Sequence, residues 1–222
     1  NPFFRASEST RQDNRYWRGY FLERDYLLSL KVAEGLPPFR NLYNEDPSES
    51  KLKIITVPLY IDGLMASPES LESRYYEGAQ LVEDKEGKVV RPVPGKEICI
   101  VSHRWELQGD PDPDGAQLKM ICQELEKRTE CKYVWYDYCC LPQSDKVRKR
   151  TVDEQVCFQW GLDHVNVLYL LFPVIILLDN NYISRFWCLM ESWLSMQKVT
   201  NVILSPAEES LQRYTILCMH NA

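Results

Sequence analysis

The sequence predicts an α/β fold, a parallel sheet flanked by helices, and three observations carry that prediction. From Lys96 onward, short apolar runs alternate with longer amphipathic segments. The runs ICIVS (98–102), YVWYD (133–137), VIILL (174–178) and NVILS (201–205) are nearly continuous in apolar residues, the pattern of strands covered on both faces. Each spacer between them is long enough for a crossover helix, so the strands are expected to be parallel with right-handed connections.

Taken in order, residues 1–95 are expected to be an irregular extension that packs on a main domain at 96–222. Within the extension, RYWRGYFLERDYLLSLKVAEG (15–35) reads as containing a helix that ends at Gly35, and LPPF (36–39) stops it. KIITVPLYI (53–61) reads as a strand interrupted by Pro58, and EDKEGKVVRPVPG (83–95) as a turn-rich hairpin or linker. Its apolar segments are short and broken by Pro37, Pro38, Pro58 and Pro68, which argues against a core of its own.

The first spacer of the main domain places Leu118, Ile121, Cys122 and Leu125 at i, i+3, i+4 and i+7, and Asp114 with Gln117 resembles a capping box. The second opens with TVDE, where Thr151 and Glu154 form that box, and sets Phe158, Leu162, Val165 and Tyr169 on one face. The third, from Ser184 to Gln197, holds SRFWCLMESW. On a helical wheel Phe186, Trp187, Leu189, Met190, Trp193, Leu194 and Met196 cover about half the circumference, and Glu191 sits at the margin of that arc. A charge in that setting costs free energy unless it is solvated or paired.

Composition narrows the function classes. The chain has 222 residues, 45% of them hydrophobic, so a packed core is expected. With 26 Lys+Arg against 32 Asp+Glu the net charge is −6, which argues against nucleic-acid binding and against a polybasic membrane anchor. The eight cysteines form no C-x-x-C pair and lie largely in apolar segments, which reads as reduced thiols and a cytoplasmic location. The longest apolar run, VLYLLFPVIILL (167–178), is too short to span a bilayer and contains Pro173.

Ligands of open parallel sheets bind beyond the carboxyl ends of the strands. That places SHRWE (102–106), DYCCLPQ (137–143), DNNY (179–182) and the pair Ser205 and Pro206 at the functional edge.

FPVIILLDNNYISRFWCLMESWLSMQ resembles the TIR-domain segment in which a strand ends in a short turn and a helix opens with W-C-x-x-E, and ICIVSHRW resembles the first TIR strand and its loop. YVWYDYCCLPQ, followed by TVDEQV and LDHVNVLY, is similar to the W-x-D-x-x-C-x-x-Q, E-x-x, M-x-x-x-Y pattern of heterokaryon-incompatibility (HET) domains, themselves TIR-like in fold. The likeness covers residues 96–206. It implies a flavodoxin-like sheet of order 2-1-3-4, with YTILC (214–218) as a candidate fifth strand. It also implies NAD+ as substrate, no resident cofactor or metal, self-association, and a role in immune or cell-death signalling. Glu191 would be the catalytic carboxylate, with Ser102, His103, Arg104, Trp105, Asp137 and Trp187 around the ligand. Other TIR domains are silent interaction modules, and a third reading is a nucleoside-processing transferase whose carboxylate attacks the sugar carbon.

Each residue also has a structural reading. Glu191 is able to pair with Arg185 or Arg104, and Arg104 with Asp137 or Glu191 instead of a pyrophosphate. His103 and Asp137 fit scaffolding as well as binding, Ser102 is a small residue at a strand end, and Trp187 fits the core. Cys139 and Cys140 lack a neighbouring His in a nucleophile motif. KVRKR (146–150) reads as a solvated basic run, or as a contact with a second protomer or a phosphate. PDPDG (111–115) lacks calcium-loop spacing and reads as a turn and helix cap.

Overall fold

The computed structural model describes residues 16–44, 46, 48–58, 80–83, 89–93, 95–144, 148–199 and 203–220. Four parallel strands form the half of the sheet that carries the site: β5 (Ile98–Ser102), β6 (Tyr133–Trp135), β7 (Val174–Leu178) and β10 (Tyr214–Cys218). They lie in the order β6-β5-β7-β10, which is the flavodoxin-like 2-1-3-4 arrangement. All five residues of β5 are buried, as are the first four of β7, because each of these strands is flanked on both sides and covered on both faces.

One strand assignment is corrected. The fourth parallel strand is Tyr214–Cys218, not residues 201–205. Residues 201 and 202 lie outside the described residues, and Leu204–Pro206 form β9, which pairs antiparallel with β8 (Gln197–Val199) in a separate two-stranded sheet. Ser205 therefore leaves the ligand edge. Both runs are short and apolar, and periodicity alone does not separate them.

The described part of the extension is more regular than its sequence pattern. β1 (Tyr16–Glu23) fills the first part of the stretch 15–35, the helix expected within it is the short α1 (Arg24–Ser29), and a 3-10 turn at Val32–Glu34 ends at Gly35, φ 67, while α2 (Phe39–Leu42) follows the two prolines. β2 is described over Leu52–Pro58, and β3 (Gln80–Glu83) pairs antiparallel with β4 (Val89–Val93), which favours the hairpin over the linker for residues 83–95, with 84–88 outside the described residues. β1 pairs antiparallel with β6 through Leu22↔Val134 and Glu23↔Tyr133, and β2, β3 and β4 follow outward, so the sheet has eight strands. Phe21, Leu22 and Leu27 are buried in the same core as Ile98 and Val134.

α3 (Ala116–Lys127) buries Leu118, Ile121 and Leu125 as expected. Its capping carboxylate is Asp112 rather than the Asp114/Gln117 pair: Asp112 accepts from the backbone N–H of Gln117 and of Leu118, both at 2.8 Å. Asp114 caps only the Ala116 N–H, at 3.0 Å. α4 (Asp137–Cys140) is one turn. α5 (Val152–His164) starts on the complete Thr151/Glu154 box, and α6 (Asn166–Leu171) follows it directly. The face expected across this pair is corrected: Leu162 is exposed, because α5 turns Cys157 and Gly161 inward and a Cβ on Gly161 would meet Leu141 at 2.5 Å.

Candidate active site at the carboxyl edge of the sheet

α7 (Phe186–Ser195) turns only part of its apolar surface inward. Its buried residues are Cys188, Leu194 and Ser195, and Glu191 lies partly buried among them. Phe186, Leu189 and Trp193, a stripe spaced i, i+3 and i+7, are 65%, 45% and 47% exposed, and Trp187 is 63% exposed. Part of the apolar arc, Phe186, Trp187, Leu189 and Trp193, thus faces outward, while Leu194 is buried, Met190 and Met196 pack against the core, and Glu191, at the margin of the arc, faces the sheet. Trp187 is not a core residue.

Glu191 reaches the carboxyl end of β5, where the Ser102 hydroxyl lies 2.6 Å from its Oε2. Ser102 in turn contacts the Tyr182 hydroxyl, which donates to the Cys188 carbonyl at 2.9 Å. The Tyr169 hydroxyl of α6 is a further hydrogen-bond partner of the carboxyl. Among the described residues Glu191 has no ion-pair partner; the pairs with Arg185 or Arg104 do not form. Burial pushes its pKa from the ordinary 4.5 up to about 7; the Asp137 charge adds to the rise, while the Ser102 and Tyr169 hydroxyls and His103 oppose it.

The neighbouring residues form a polar frame. Arg104 directs Nε to Asp179 at 2.8 Å and brings Nη2 onto the same oxygen, while Nη1 donates to the Trp105 carbonyl at 3.0 Å. Its partner is therefore Asp179, just past β7. That guanidinium holds the Asp179 carboxyl below its usual range, although burial opposes it. His103 places Nε2 2.8 Å from Asp137 and Nδ1 3.1 Å from the Tyr136 hydroxyl, and its ring stacks on Tyr136 at 4.0 Å. The Trp105 indole N–H donates to Asp137 at 2.9 Å. Ser102, His103, Arg104, Trp105, Asp137 and Glu191 therefore gather at one edge, with Asp179 beside them.

Sequence reasoning placed Tyr182 at the functional edge within DNNY but gave it no role, and it did not connect Tyr169, which touches the Glu191 carboxyl, or Gln117 with the site. The Gln117 amide pins the loop after β5 by donating to the carbonyls of Pro111 and Arg104 at 2.6 and 3.0 Å and accepting from Tyr136 at 2.9 Å. A tyrosine on an apolar helix carries no signal in sequence that its hydroxyl points at a carboxyl.

Other candidates fare differently. Cys139 and Cys140 are buried, and burial raises both thiols, Cys140 to about 12, so neither is poised as a thiolate. None of the eight cysteines is in a disulfide. Of KVRKR, Lys146 and Val147 lie outside the described residues; Arg148 approaches Glu154 at 3.7 Å, and Arg150 lies 3.3 Å over the Phe158 ring. Glu106, Asp114 and His220 each offer a ligand atom within 4.8 Å of the others, the one described trio able to meet at a metal ion, and two of the three are exposed. A cavity of about 360 Å³ lies elsewhere, lined by Tyr20, Phe39, Arg40, Tyr43 and Glu154 among others. No helix among the described residues is long and apolar enough to cross a membrane.

Comparison with family models, with curated proteins and with solved structures gives no match to this chain.

Proposed function

We propose that the protein cleaves the nicotinamide–ribose bond of NAD+, as a TIR-like glycohydrolase or cyclase acting in intracellular immune or cell-death signalling. The observation that carries this reading is Glu191: a carboxyl turned inward at the ligand edge of a parallel sheet, held by hydroxyls and with no ion-pair partner among the described residues, on a helix that leaves its aromatic residues outside. A structural carboxylate would be expected to have a cation beside it, and Arg104, one of the two arginines expected from the sequence to pair with it, is committed to Asp179.

The chemistry fits a single carboxylate. Nicotinamide in NAD+ is already a cationic leaving group, so its departure needs no proton from an acid. As the C–N bond breaks, its electron pair leaves with the ring nitrogen and the ribose takes on oxocarbenium character. A fixed carboxylate beside the sugar stabilises that charge and holds its hydroxyls, as in glycoside cleavage. Water or a nucleophilic nitrogen of the same molecule then closes on the anomeric carbon, giving a linear or a cyclic product. Trp187, exposed at the start of α7, is available to cover the ligand. Arg104 is available to a pyrophosphate only if its contacts with Asp179 and the Trp105 carbonyl open.

The exposed stripe of Phe186, Leu189 and Trp193 favours self-association as the activating step, since a contiguous apolar face on a folded chain marks an interaction surface. The same stripe supports the second reading, a silent interaction module of the same fold. Incubating the concentrated protein with NAD+ and measuring free nicotinamide separates the two. Release supports the enzyme; none at any concentration, including in an induced assembly, moves the protein to the adaptor class. Cleavage of nucleosides without cleavage of NAD+ would favour the transferase reading.

A further inference from the structure

The oxygens beside Glu191 form a hydrogen-bonded chain of three links: Glu191 to Ser102, Ser102 to Tyr182, and Tyr182 to the Cys188 carbonyl. Each link needs one proton. Ser102 and Tyr182 bring one hydroxyl proton apiece, and a carbonyl brings none. With Glu191 ionised one of the three links stays empty. With Glu191 neutral the chain is filled in one direction: Glu191 donates to Ser102, Ser102 to Tyr182, and Tyr182 to the Cys188 carbonyl.

We propose that Glu191 rests as a neutral acid whose proton completes this chain, with Tyr182 as the positioning residue that fixes its direction, and that a cationic ligand displaces the proton. Its catalytic meaning rests on the reading of Glu191 as the reacting carboxyl; the proton count does not. Partial burial without an ion-pair partner among the described residues favours the neutral form independently of the count. The charged and titratable groups packed around the carboxyl are Asp137, which opposes ionisation, His103, which favours it, and Tyr169, Tyr182 and Cys188, whose burial keeps them neutral.

A pyridinium ring arriving within about 4–6 Å lowers a carboxyl's pKa by roughly 1–3 units. Such a ligand would generate the carboxylate it needs, and the vacated chain would reverse: Ser102 donates to Glu191, Tyr182 to Ser102, and the Cys188 carbonyl gives up its side-chain donor. Neutral N-glycosides have no such effect. The site therefore selects cationic ones, and their binding releases a proton.

The sign of one pKa shift tests this. Tyr182→Phe removes the acceptor of the Ser102 proton, so Ser102 turns to donate to Glu191 and the carboxylate is favoured. If Glu191 instead rested ionised with Tyr182 donating to Ser102, the same change would weaken the donor and move the titration upward. Infrared difference spectra of wild type against Glu191→Gln, without substrate, should show a protonated carboxyl band that disappears as the pH passes neutrality. In Tyr182→Phe the band should disappear at lower pH, by about one unit. A wild type lacking the band at mildly acid pH overturns the proposal even if the variant fails to fold, and so does a Tyr182→Phe shift that is nil or upward. Failure to cleave NAD+ would remove the proposed function and leave these spectra unaffected.

Discussion

At the residue scale the structure separates two kinds of buried charge. Arg104 and Asp179 satisfy each other, and removing one strands its partner, so Arg104→Ala should cost roughly 3 kcal/mol in a urea titration. Asp179 has a lowered pKa, so its contribution to stability is present above the ordinary 3.8 and is lost as the pH falls through the folded value. Glu191 behaves in the opposite sense. Its pKa rises from 4.5 to about 7, so its contribution is fully present below about 4.5 and is lost as the pH rises through about 7. Relative to Glu191→Gln, which does not ionise, the wild type should lose up to about 3 kcal/mol of stability across that window. Melting both proteins across the range checks this; parallel curves would mean that Glu191 is solvated and ionised throughout.

Among the elements, those whose local chemistry agreed with their packing were the legible ones. The Thr151/Glu154 box announced α5 and is present, so Thr151→Ala should lower stability by about 1 kcal/mol. The continuous runs at 98–102 and 174–178 announced β5 and β7 because both strands are covered on both faces. β1 was misread because YWRGYFLE mixes aromatic, charged and small residues without a clear period, and its place is decided by pairing with β6 and β2 rather than by local preference. The orientation of α7 is not legible in the sequence: its apolar arc is too wide to be buried whole, and the wheel does not say that Phe186, Trp187, Leu189 and Trp193 are the part left outside. That supplies a further prediction. Replacing Phe186 and Trp193 together by Ser should lower stability by about 2–3 kcal/mol, nearly all of it from Trp193, since Phe186 is 65% exposed and Trp193 only 47%. If the stripe drives self-association, the same double variant should sediment as a smaller species than wild type at high concentration. A larger loss of stability would instead place the stripe against something within the chain.

Across the whole molecule, the extension and the parallel half share one sheet, which the proline-broken pattern of residues 1–95 concealed. Arg24 donates to the Leu125 carbonyl through both Nε and Nη2, and the Cys139 thiol reaches the Pro37 carbonyl, so α1 and the segment before α2 are tied to α3 and α4. Residues 1–95 expressed alone should therefore show no cooperative thermal transition, because the strand edge and apolar face they pair with are missing; a sharp transition would mark an independent domain. The sheet order that brings Ser102, Asp137 and Asp179 to one edge was readable from the alternation of runs and spacers. The path by which Tyr169 and Tyr182 converge on Glu191 depends on the spatial packing of α6 and α7 and was not. The proposed NAD+ cleavage needs that convergence to have a chemical purpose. Its most direct test is nicotinamide release from NAD+ by wild type and Glu191→Gln side by side, with ligand-induced thermal stabilisation as the binding readout. Wild type should release nicotinamide, and the variant should lose a hundredfold or more, about 3 kcal/mol in the barrier, while keeping its stabilisation by NAD+. Equal release from both proteins, or release from neither, would contradict the proposal.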